Sequence, residues 1–242
     1  MSICAVIPAA GNGTRLGSSD PKVFTKVLER KVVWDFLLEN IKPHVDSFNL
    51  ILKPGIKDRY SQHLSESIIV SEQDVPLGMG DAIFRGYDHW RTFDHILVVW
   101  GDQINISSST LERVTAELSN SIVIPFVKPS SPYVEYVFEN EKLITVLQSR
   151  EGDMTSPGGL SDIGVFLLPT KNLKKFWNEY KKISEKGAST GELNFLPFFT
   201  YLNSVCGMPI KRVLVENVDE AKGLNTKDDL AFFQSVVLKN KS

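Results

Sequence analysis

The sequence predicts an α/β fold with a mainly parallel sheet and an added β-hairpin. Apolar runs of strand length alternate with segments whose apolar residues recur at helical spacing, which is typical of βαβ units. The continuous apolar run at residues 96–100 predicts a central strand covered on both faces. Two short runs flank a polar turn at residues 139–142 and predict the hairpin. With 242 residues, 42% of them hydrophobic, the chain can bury a sizeable core, and we predict one domain over residues 1–242.

The local pattern justifies each element in turn. Apolar runs bounded by polar, glycine or proline residues predict strands at residues 3–7, 48–52, 68–70, 96–100, 122–127, 163–168 and 210–215. Apolar residues at helical spacing predict helices at residues 32–41, 56–64, 82–90, 111–118, 173–183, 193–202 and 224–238. The serines at 107–109 offer an N-cap for the fourth of these helices. The hairpin strands cover residues 133–138 and 143–147, and the polar, glycine-containing stretch at 149–160 predicts an exposed and mobile loop.

Charge and composition exclude several classes of function. The 27 Lys and Arg residues are balanced by 29 Asp and Glu residues, so no basic surplus indicates a nucleic-acid partner. No apolar run approaches the roughly 20 residues that a membrane-spanning helix requires. The first residues lack the charged segment of a signal peptide, and we expect a cytoplasmic protein. Cys4 and Cys206 match no disulfide framework or metal spacing, and the four histidines have no neighbouring second ligand for zinc.

The strongest motif directly follows the first predicted strand. It joins small residues and two glycines to two cations: Ala9, Ala10, Gly11, Asn12, Gly13, Thr14, Arg15 and, seven residues further on, Lys22. Glycine lets backbone N–H groups approach phosphate oxygens closely, and both cations can reach a triphosphate if the segment wraps it. A dinucleotide fingerprint would need its third glycine where Leu16 stands, and the Gly-Lys-Ser/Thr of a Walker loop is absent from this segment. The alternative is a surface turn with incidental basic residues.

A second motif places an amide near a helix start. Gln73 precedes Gly78, Met79 and Gly80, and the two glycines open a predicted helix just after a strand. Backbone can approach a ligand there, and an amide side chain can read both donors and acceptors of a base edge. The alternative for Gln73 is an ordinary solvated loop residue.

Two further residues are candidate metal ligands. Asp102 follows the predicted central strand, and open α/β sheets bind ligands at the carboxyl ends of their strands. A carboxylate there suits magnesium, which takes one or two protein oxygens and completes its shell with phosphate. Asn225 precedes the last predicted helix and is either its N-cap or a second oxygen ligand. For Asp102 the alternative is capping of a turn or helix.

Together these motifs resemble the sugar-1-phosphate nucleotidyltransferases, and among them the uridylyltransferase domain of the bifunctional N-acetylglucosamine-1-phosphate enzymes. The matching segments cover nearly the whole chain in order: residues 9–15 with Pro21 and Lys22, Gln73 with residues 77–80, residues 100–102, residues 191–194 and residues 223–225. The resemblance implies a Rossmann-like, mixed sheet with helices on both faces, the nucleotide-diphospho-sugar transferase fold. It also implies one essential Mg²⁺ and no covalent intermediate.

The implied reaction joins a nucleoside monophosphate from a nucleoside triphosphate, with UTP favoured, to a phosphorylated sugar or sugar-like acceptor, and releases pyrophosphate. Arg15 and Lys22 would be catalytic, and Asp102 and Asn225 would bind the metal. The implied nucleotide-binding residues are Ala9, Ala10, Gly11, Asn12, Gly13, Thr14, Gln73, Gly78, Met79 and Gly80. The implied acceptor-binding residues are Trp100, Val134, Gln148, Asp162 and Glu192.

The chain departs from that family around the acceptor. Val134, Gln148 and Asp162 stand where the family has a glycine, a glutamate and an asparagine, and Leu196 replaces a threonine. We therefore expect N-acetylglucosamine 1-phosphate to be a poor acceptor. The β-helix that carries acetyl transfer in the bifunctional enzymes has no counterpart after residue 238, so acetyl transfer is not expected.

Two rival functions stay open. One is a cytidylyltransferase that acts on a polyol or other non-sugar phosphate. The other is a catalytically silent subunit that binds a nucleotide sugar. The joint presence of Arg15, Lys22, Asp102 and Asn225 argues against the silent subunit, because a sensor can lose its metal ligands and keep its base pocket. The oligomeric state is left open by the sequence.

Overall fold

The computed structural model describes residues 1–11 and 20–239. Its strands are β1 Ile3–Pro8, β2 Ser47–Leu52, β3 Ile68–Glu72, β4 His95–Val99, β5 Ile122–Val127, β6 Val134–Glu139, β7 Lys142–Gln148, β8 Ser161–Asp162, β9 Val165–Pro169 and β10 Ile210–Leu214. Its α-helices are α1 Val33–Ile41, α2 Ile56–Arg59, α3 Met79–Arg85, α4 Tyr87–Trp90, α5 Ser108–Thr115, α6 Leu173–Ile183, α7 Pro197–Ser204 and α8 Lys227–Lys239.

The main sheet is mixed and mostly parallel. Seven strands lie in the order β10-β5-β9-β4-β1-β2-β3, and β8 pairs with β5 beside them. The pairs β1–β2, β1–β4, β2–β3 and β10–β5 are parallel, whereas β9 runs antiparallel to both β4 and β5. The predicted central strand is confirmed, since β4 lies in the middle of this order. The mainly parallel sheet is therefore interrupted by the reversed strand β9, and β8 also runs antiparallel to its partner β5.

Apolar layers cover both faces of this sheet. Along β1, Ile3, Ala5 and Ile7 face the layer that contains α1, α5 and α8, while Cys4 and Val6 face the layer of α3, α4, α6 and α7. A strand buried on both faces needs apolar residues at consecutive positions, which explains its continuous apolar sequence. The predicted arrangement of helices on both faces is confirmed.

The hairpin β6–β7 is a separate two-stranded sheet that packs on the second layer. Its Leu143 N–H donates to Asn203 Oδ1 at 2.9 Å, and Ser204 Oγ donates to the Leu143 carbonyl at 3.2 Å. Tyr136 and Val146 add apolar contacts to the same layer. The hairpin is thereby tied to the end of α7 and stands beside the site described below.

Five predicted helices differ from the structure, and one of them, expected at 111–118, lies at Ser108–Thr115. The helix expected at 82–90 is divided at Gly86, which packs so closely on β2 that a Cβ there would lie 1.7 Å from the buried Asn49 Oδ1. The helix expected at 56–64 ends at Arg59 and continues as a 3₁₀ turn at Ser61–His63. Those expected from 193 and 224 begin later, at Pro197 and Lys227. The loop at 149–160 begins with a short 3₁₀ turn and is mostly exposed, as expected.

In the part of the chain that the structure describes, no helix is both long and apolar enough to span a membrane.

Candidate active site

Two adjoining cavities open at the edge of the sheet where β1, β3 and β4 end. The smaller has a volume of about 240 Å³ and is lined by residues that include Ala9, Ala10, Gly11, Gln73 and Gly78. The larger has a volume of about 740 Å³ and is lined by residues that include Val134, Gln148, Asp162, Leu196 and Asn225. Both cavities share Lys22, Met79, Trp100, Asp102 and Glu192. Most described residues that the sequence predicts for the nucleotide line the smaller cavity, and those predicted for the acceptor line the larger one.

The chain passes through the boundary between the two cavities at Gly101, where there is little space for a side chain. A Cβ on Gly101 would lie 3.1 Å from the Pro8 carbonyl oxygen and 3.2 Å from the Ala9 Cβ. The ends of β1 and β4 consequently approach each other closely, and Ala9 is held by its N–H bond to the Ile51 carbonyl at 2.9 Å. The remaining loop residues of the motif, Asn12, Gly13, Thr14 and Arg15, lie outside the described residues.

Lys22, Asp102 and Asn225 meet at the boundary. The Lys22 ammonium donates to Asp102 Oδ2 at 3.0 Å and to Asn225 Oδ1 at 2.6 Å. The Lys22 and Asp102 side chains are 22% and 23% exposed, so water screens the pair only in part. A Cβ on Gly223 would lie 3.3 Å from the Asp102 carboxyl carbon. Residues far apart in the chain therefore converge on one nitrogen.

The side chain of Asn225 is free for the site because another residue caps the helix. Asp229 Oδ2 accepts from Thr226 N at 2.7 Å and from Asn225 N at 2.9 Å, and Thr226 Oγ1 accepts from Asp229 N at 3.2 Å. This reciprocal pair is a capping box. The capping alternative for the Asn225 side chain is therefore wrong.

The oxygens of Asp102 and Asn225 suit a hard divalent cation. Both lie within hydrogen-bonding distance of one nitrogen, so a single ion between them is sterically reasonable. Mg²⁺ typically takes one or two protein oxygens and completes its shell with water and substrate phosphate. The described residues contain no group of three or more His, Cys, Asp or Glu side chains that could hold a metal. A cation here would thus depend on substrate oxygens for the rest of its shell.

Gln73 is positioned as a buried hydrogen-bonding group of the smaller cavity. It follows β3 directly and is 4% exposed. Its Nε2 donates to the Gly78 carbonyl at 3.2 Å and to Asp81 Oδ2 at 2.8 Å. The amide nitrogen of Gln73 is therefore held by the protein. Its amide oxygen accepts no hydrogen bond from any described residue. The interpretation of Gln73 as a solvated loop residue is wrong.

The two glycines after Gln73 have different roles. Gly78 has a φ of +104° and would bring a Cβ to 2.9 Å from the Leu193 carbonyl oxygen, so the loop requires glycine there. Gly80 lines neither cavity. A Cβ on Gly80 would lie 2.1 Å from the Trp177 ring, and this glycine instead allows α3 to pack against α6.

The larger cavity includes polar residues that the sequence motifs did not identify. Gln103, Lys128 and Arg150 line it. Gln103 is 8% exposed, and no described residue donates a hydrogen bond to its buried Oε1. Gln103 follows Asp102 directly, and Lys128 follows the carboxyl end of β5. Their positions just after the ends of strands could have identified Gln103 and Lys128 as candidate site residues.

Asp162 lies in the wall of the larger cavity. It is half-buried, and its Oδ1 accepts from Gly164 N at 2.7 Å. Burial raises the pKa of Asp162 from its ordinary 3.8 to about 6, although the Gly164 hydrogen bond opposes that rise. Asp162 therefore acquires its charge as the pH approaches neutrality, next to where an acceptor phosphate would enter.

We predict that Asp162→Asn stabilises the protein in a pH-dependent way. Between about pH 4 and pH 6 the unfolded Asp162 is ionised while the folded one still holds its proton, so wild-type stability falls as the pH rises through this window. Above it the loss is constant. Thermal unfolding should show no gain for the variant near pH 4 and a gain in Tm of about 2–4 °C at neutral pH. A gain of the same size at every pH would contradict this prediction.

Comparisons with known proteins show the family and the fold of the chain. The chain is 28% identical, over 99% of its length, to the "Bifunctional protein GlmU" of Buchnera aphidicola subsp. Schizaphis graminum, and covers 52% of that protein. It is 32% identical, over 76% of its length, to that of Clostridioides difficile, and covers 36% of it. The chain thus spans about half or less of these relatives. The solved inositol-1-phosphate CTP transferase from T. maritima superposes with a TM-score of 0.75 at 19% identity, over 100% of this chain and 97% of that one.

The fold is that of a nucleotidyltransferase domain, with a mixed sheet of the nucleotide-diphospho-sugar transferase type and paired cavities at its edge. The MobA-like NTP transferase domain family matches residues 5–160. The chain belongs to this family. The resemblance to sugar-1-phosphate nucleotidyltransferases that the motifs indicated is confirmed.

Proposed function

We propose that the protein transfers a nucleotidyl group from a nucleoside triphosphate to the phosphate of a small phosphorylated acceptor and releases pyrophosphate. The observation that carries this proposal is the meeting of Lys22, Asp102 and Asn225 at the boundary of the two cavities. The smaller cavity would hold the nucleotide and the larger one the acceptor. Their reacting phosphates would then meet beside these three residues.

The chemistry requires positioning and charge neutralisation. An acceptor phosphate oxygen attacks the α-phosphorus in line, a new P–O bond forms, and the bond to the pyrophosphate oxygen breaks. An acceptor phosphate monoester is already anionic near neutral pH, so no general base is needed. Lys22 would bind oxygens of the α-phosphate and the acceptor phosphate, and Arg15 would neutralise the departing pyrophosphate.

We propose magnesium as the cofactor, held by Asp102 and Asn225. The bound ion would supply positive charge to the α-phosphate and the acceptor phosphate. The Lys22 ammonium lies against the same two oxygens. Lys22 would therefore turn from these oxygens to the substrate phosphates when the ternary complex forms.

We infer a preference for UTP from the orientation of Gln73. Because Asp81 and the Gly78 carbonyl hold its amide nitrogen, its amide oxygen is the group that faces a base. That oxygen can accept from the N3–H of uracil. The exocyclic amino group of cytosine is also a donor, so this contact favours uridine over cytidine only modestly. Backbone groups near Gly78 would add to the discrimination.

The acceptor would be a phosphorylated sugar or sugar-like molecule. N-acetylglucosamine 1-phosphate would be a poor acceptor. Val134, Gln148, Asp162 and Leu196 all line the larger cavity, so these departures from the family pattern face one site. Each unpaired polar contact costs about 1–3 kcal/mol, and two of them would lower kcat/KM about a hundredfold. We also propose that the reaction takes place in the cytoplasm, where nucleoside triphosphates are available.

Pyrophosphate release tests the proposal across the common nucleoside triphosphates and a library of sugar, polyol and other small phosphates. We expect turnover with UTP and an acceptor other than N-acetylglucosamine 1-phosphate, with magnesium required. Turnover with CTP and a polyol phosphate would support the cytidylyltransferase instead. Nucleotide binding without pyrophosphate release from any combination would indicate a silent binding subunit. N-acetylglucosamine 1-phosphate as the best acceptor would contradict the weight given to the four substitutions.

A further inference from the structure

One loop that has little regular structure forms part of both cavity walls. Residues 184–196 connect α6 to α7, and Glu192 in this loop lines both cavities. Within the loop, Gly187 N donates to the Glu192 carbonyl and Gly191 N to the Gly187 carbonyl, each at 2.8 Å. Residues 184–192 bury no side chain, whereas Phe195 and Leu196 at the end of the loop are buried in the second apolar layer. The position of the first part therefore depends on polar contacts with neighbouring elements.

A single carboxylate accepts three hydrogen bonds from this loop. Glu151 Oε2 accepts from Ser189 N at 2.9 Å, and its Oε1 accepts from Thr190 Oγ1 at 2.8 Å and from Asn194 Nδ2 at 3.2 Å. The Glu151 side chain is only 9% exposed. The Ser189, Thr190 and Asn194 hydrogen bonds hold the pKa of Glu151 down at about 2, so it stays ionised at neutral pH.

The adjacent Arg150 completes the attachment. Its Nη2 donates to Asn194 Oδ1 at 2.9 Å, while Glu151 accepts from the Nδ2 of the same amide. Both ends of the Asn194 amide are therefore held by two consecutive residues. The loop backbone also packs tightly against Glu151, because a Cβ on Gly187 would lie 2.6 Å from Glu151 Oε1.

The attachment joins the two walls of the larger cavity. Arg150 and Glu151 form a 3₁₀ turn directly after β7, the strand that ends with Gln148. Opposite that strand the loop carries Glu192, a half-buried carboxylate to which no described residue donates a hydrogen bond. A displacement of the loop would therefore move Glu192 relative to Gln148 without altering the sheet.

We propose that Glu151 is a positioning residue that sets acceptor affinity by holding Glu192 in the cavity wall. This inference rests on the proposed function, since it assigns the larger cavity to the acceptor. Glu151 itself lines neither cavity. It acts through the loop, and the hydroxyl groups of a polyhydroxylated acceptor are the donors that the Glu192 carboxylate would accept from.

The test compares Glu151→Gln with Glu185→Gln. The first keeps the side-chain shape but replaces one carboxylate oxygen with an amide nitrogen, which opposes either the Ser189 N–H or the Asn194 Nδ2, donor against donor. The second removes the same charge from an exposed position of the same loop for which no contact is found. In the best substrate pair, Glu151→Gln should raise the acceptor KM about tenfold and leave kcat and the triphosphate KM within about twofold. Glu185→Gln should behave as wild type, and equal kinetics for both variants would overturn the proposal.

A double-mutant cycle separates positioning from general stabilisation. If Glu151 acts through Glu192, then Glu151→Gln should change the acceptor KM less than about twofold in a Glu192→Ala background. An undiminished tenfold effect in that background would overturn the role assigned to Glu192. Glu151→Asp, which retains the charge, should restore part of the acceptor affinity.

Hydrogen exchange tests the attachment independently of turnover. The Ser189 amide, which donates to Glu151, should exchange at least about tenfold faster in Glu151→Gln than in wild type or Glu185→Gln. Unchanged exchange would overturn the attachment. If wild type releases no pyrophosphate with any acceptor while Ser189 exchange responds, the proposed function fails and the attachment stands.

Discussion

Asp102→Asn should lower kcat/KM for nucleotidyl transfer by about 10²-fold or more, the scale for losing one preorganised electrostatic group. The variant keeps the shape of the side chain and the backbone bond from Leu224 N to the Asp102 carbonyl, which is 2.8 Å long. It removes the formal negative charge that would hold magnesium beside the reacting phosphates. The loss should therefore be chemical, with little change in the folded structure.

The measurement is pyrophosphate release as a function of Mg²⁺ concentration. The magnesium concentration at half-maximal rate should rise in Asp102→Asn, and chelator should abolish wild-type turnover. Asp88→Asn is a suitable control, because Asp88 is 97% exposed and lies far from both cavity linings. Full activity of Asp102→Asn would disprove the metal assignment.

Lys22→Met should lower kcat on the order of 10²-fold while changing the triphosphate KM by only a few fold. Methionine keeps much of the apolar stem and removes the charge that would act as negative charge redistributes in the transition state. Arg15→Ala should show the same pattern if it neutralises the leaving group. Initial rates over a range of triphosphate concentrations separate the two parameters, and an effect on KM alone would assign these residues to ground-state binding.

The Lys22 variant also has an expected effect in the absence of substrate. In the nucleotide-free protein the ammonium donates to the same Asp102 and Asn225 oxygens that we assign to the metal. Removing it should therefore increase the affinity of the free protein for Mn²⁺, which spin resonance can follow directly. Affinity equal to or lower than that of wild type would show that Lys22 and the metal do not compete.

The helix boundaries show where local pattern stops being sufficient. Apolar spacing predicts one helix at 82–90, yet the chain forms two helices that meet at Gly86, where the buried Asn49 side chain of β2 leaves no space for a Cβ. Gly86 and Asn49 are 37 positions apart in the sequence, and they meet only because β2 packs against this part of the chain. No window of local sequence contains it.

The candidate site divides in the same way. The glycine loop, Gln73 and Asp102 are identifiable because each directly follows a strand, and parallel strands present their carboxyl ends at one edge. Gly80 has the same local signature, but its α-carbon faces Trp177. The sequence leaves Asn225 as either a helix cap or a metal ligand, whereas in the structure Thr226 and Asp229 cap the helix together. Local spacing cannot distinguish a residue that faces a ligand from one that faces the core.

The sequence by itself determined the class of fold, the strand-end motifs and the family of nucleotidyltransferases, because alternation, glycine placement and charge type are properties of neighbouring residues. Only the tertiary structure decided that Lys22 lies against Asp102 and Asn225, and that Glu151 holds the loop carrying Glu192. Those contacts depend on distances between segments that are remote along the chain. They are set by how the sheet, hairpin and helices pack, and no local propensity encodes them.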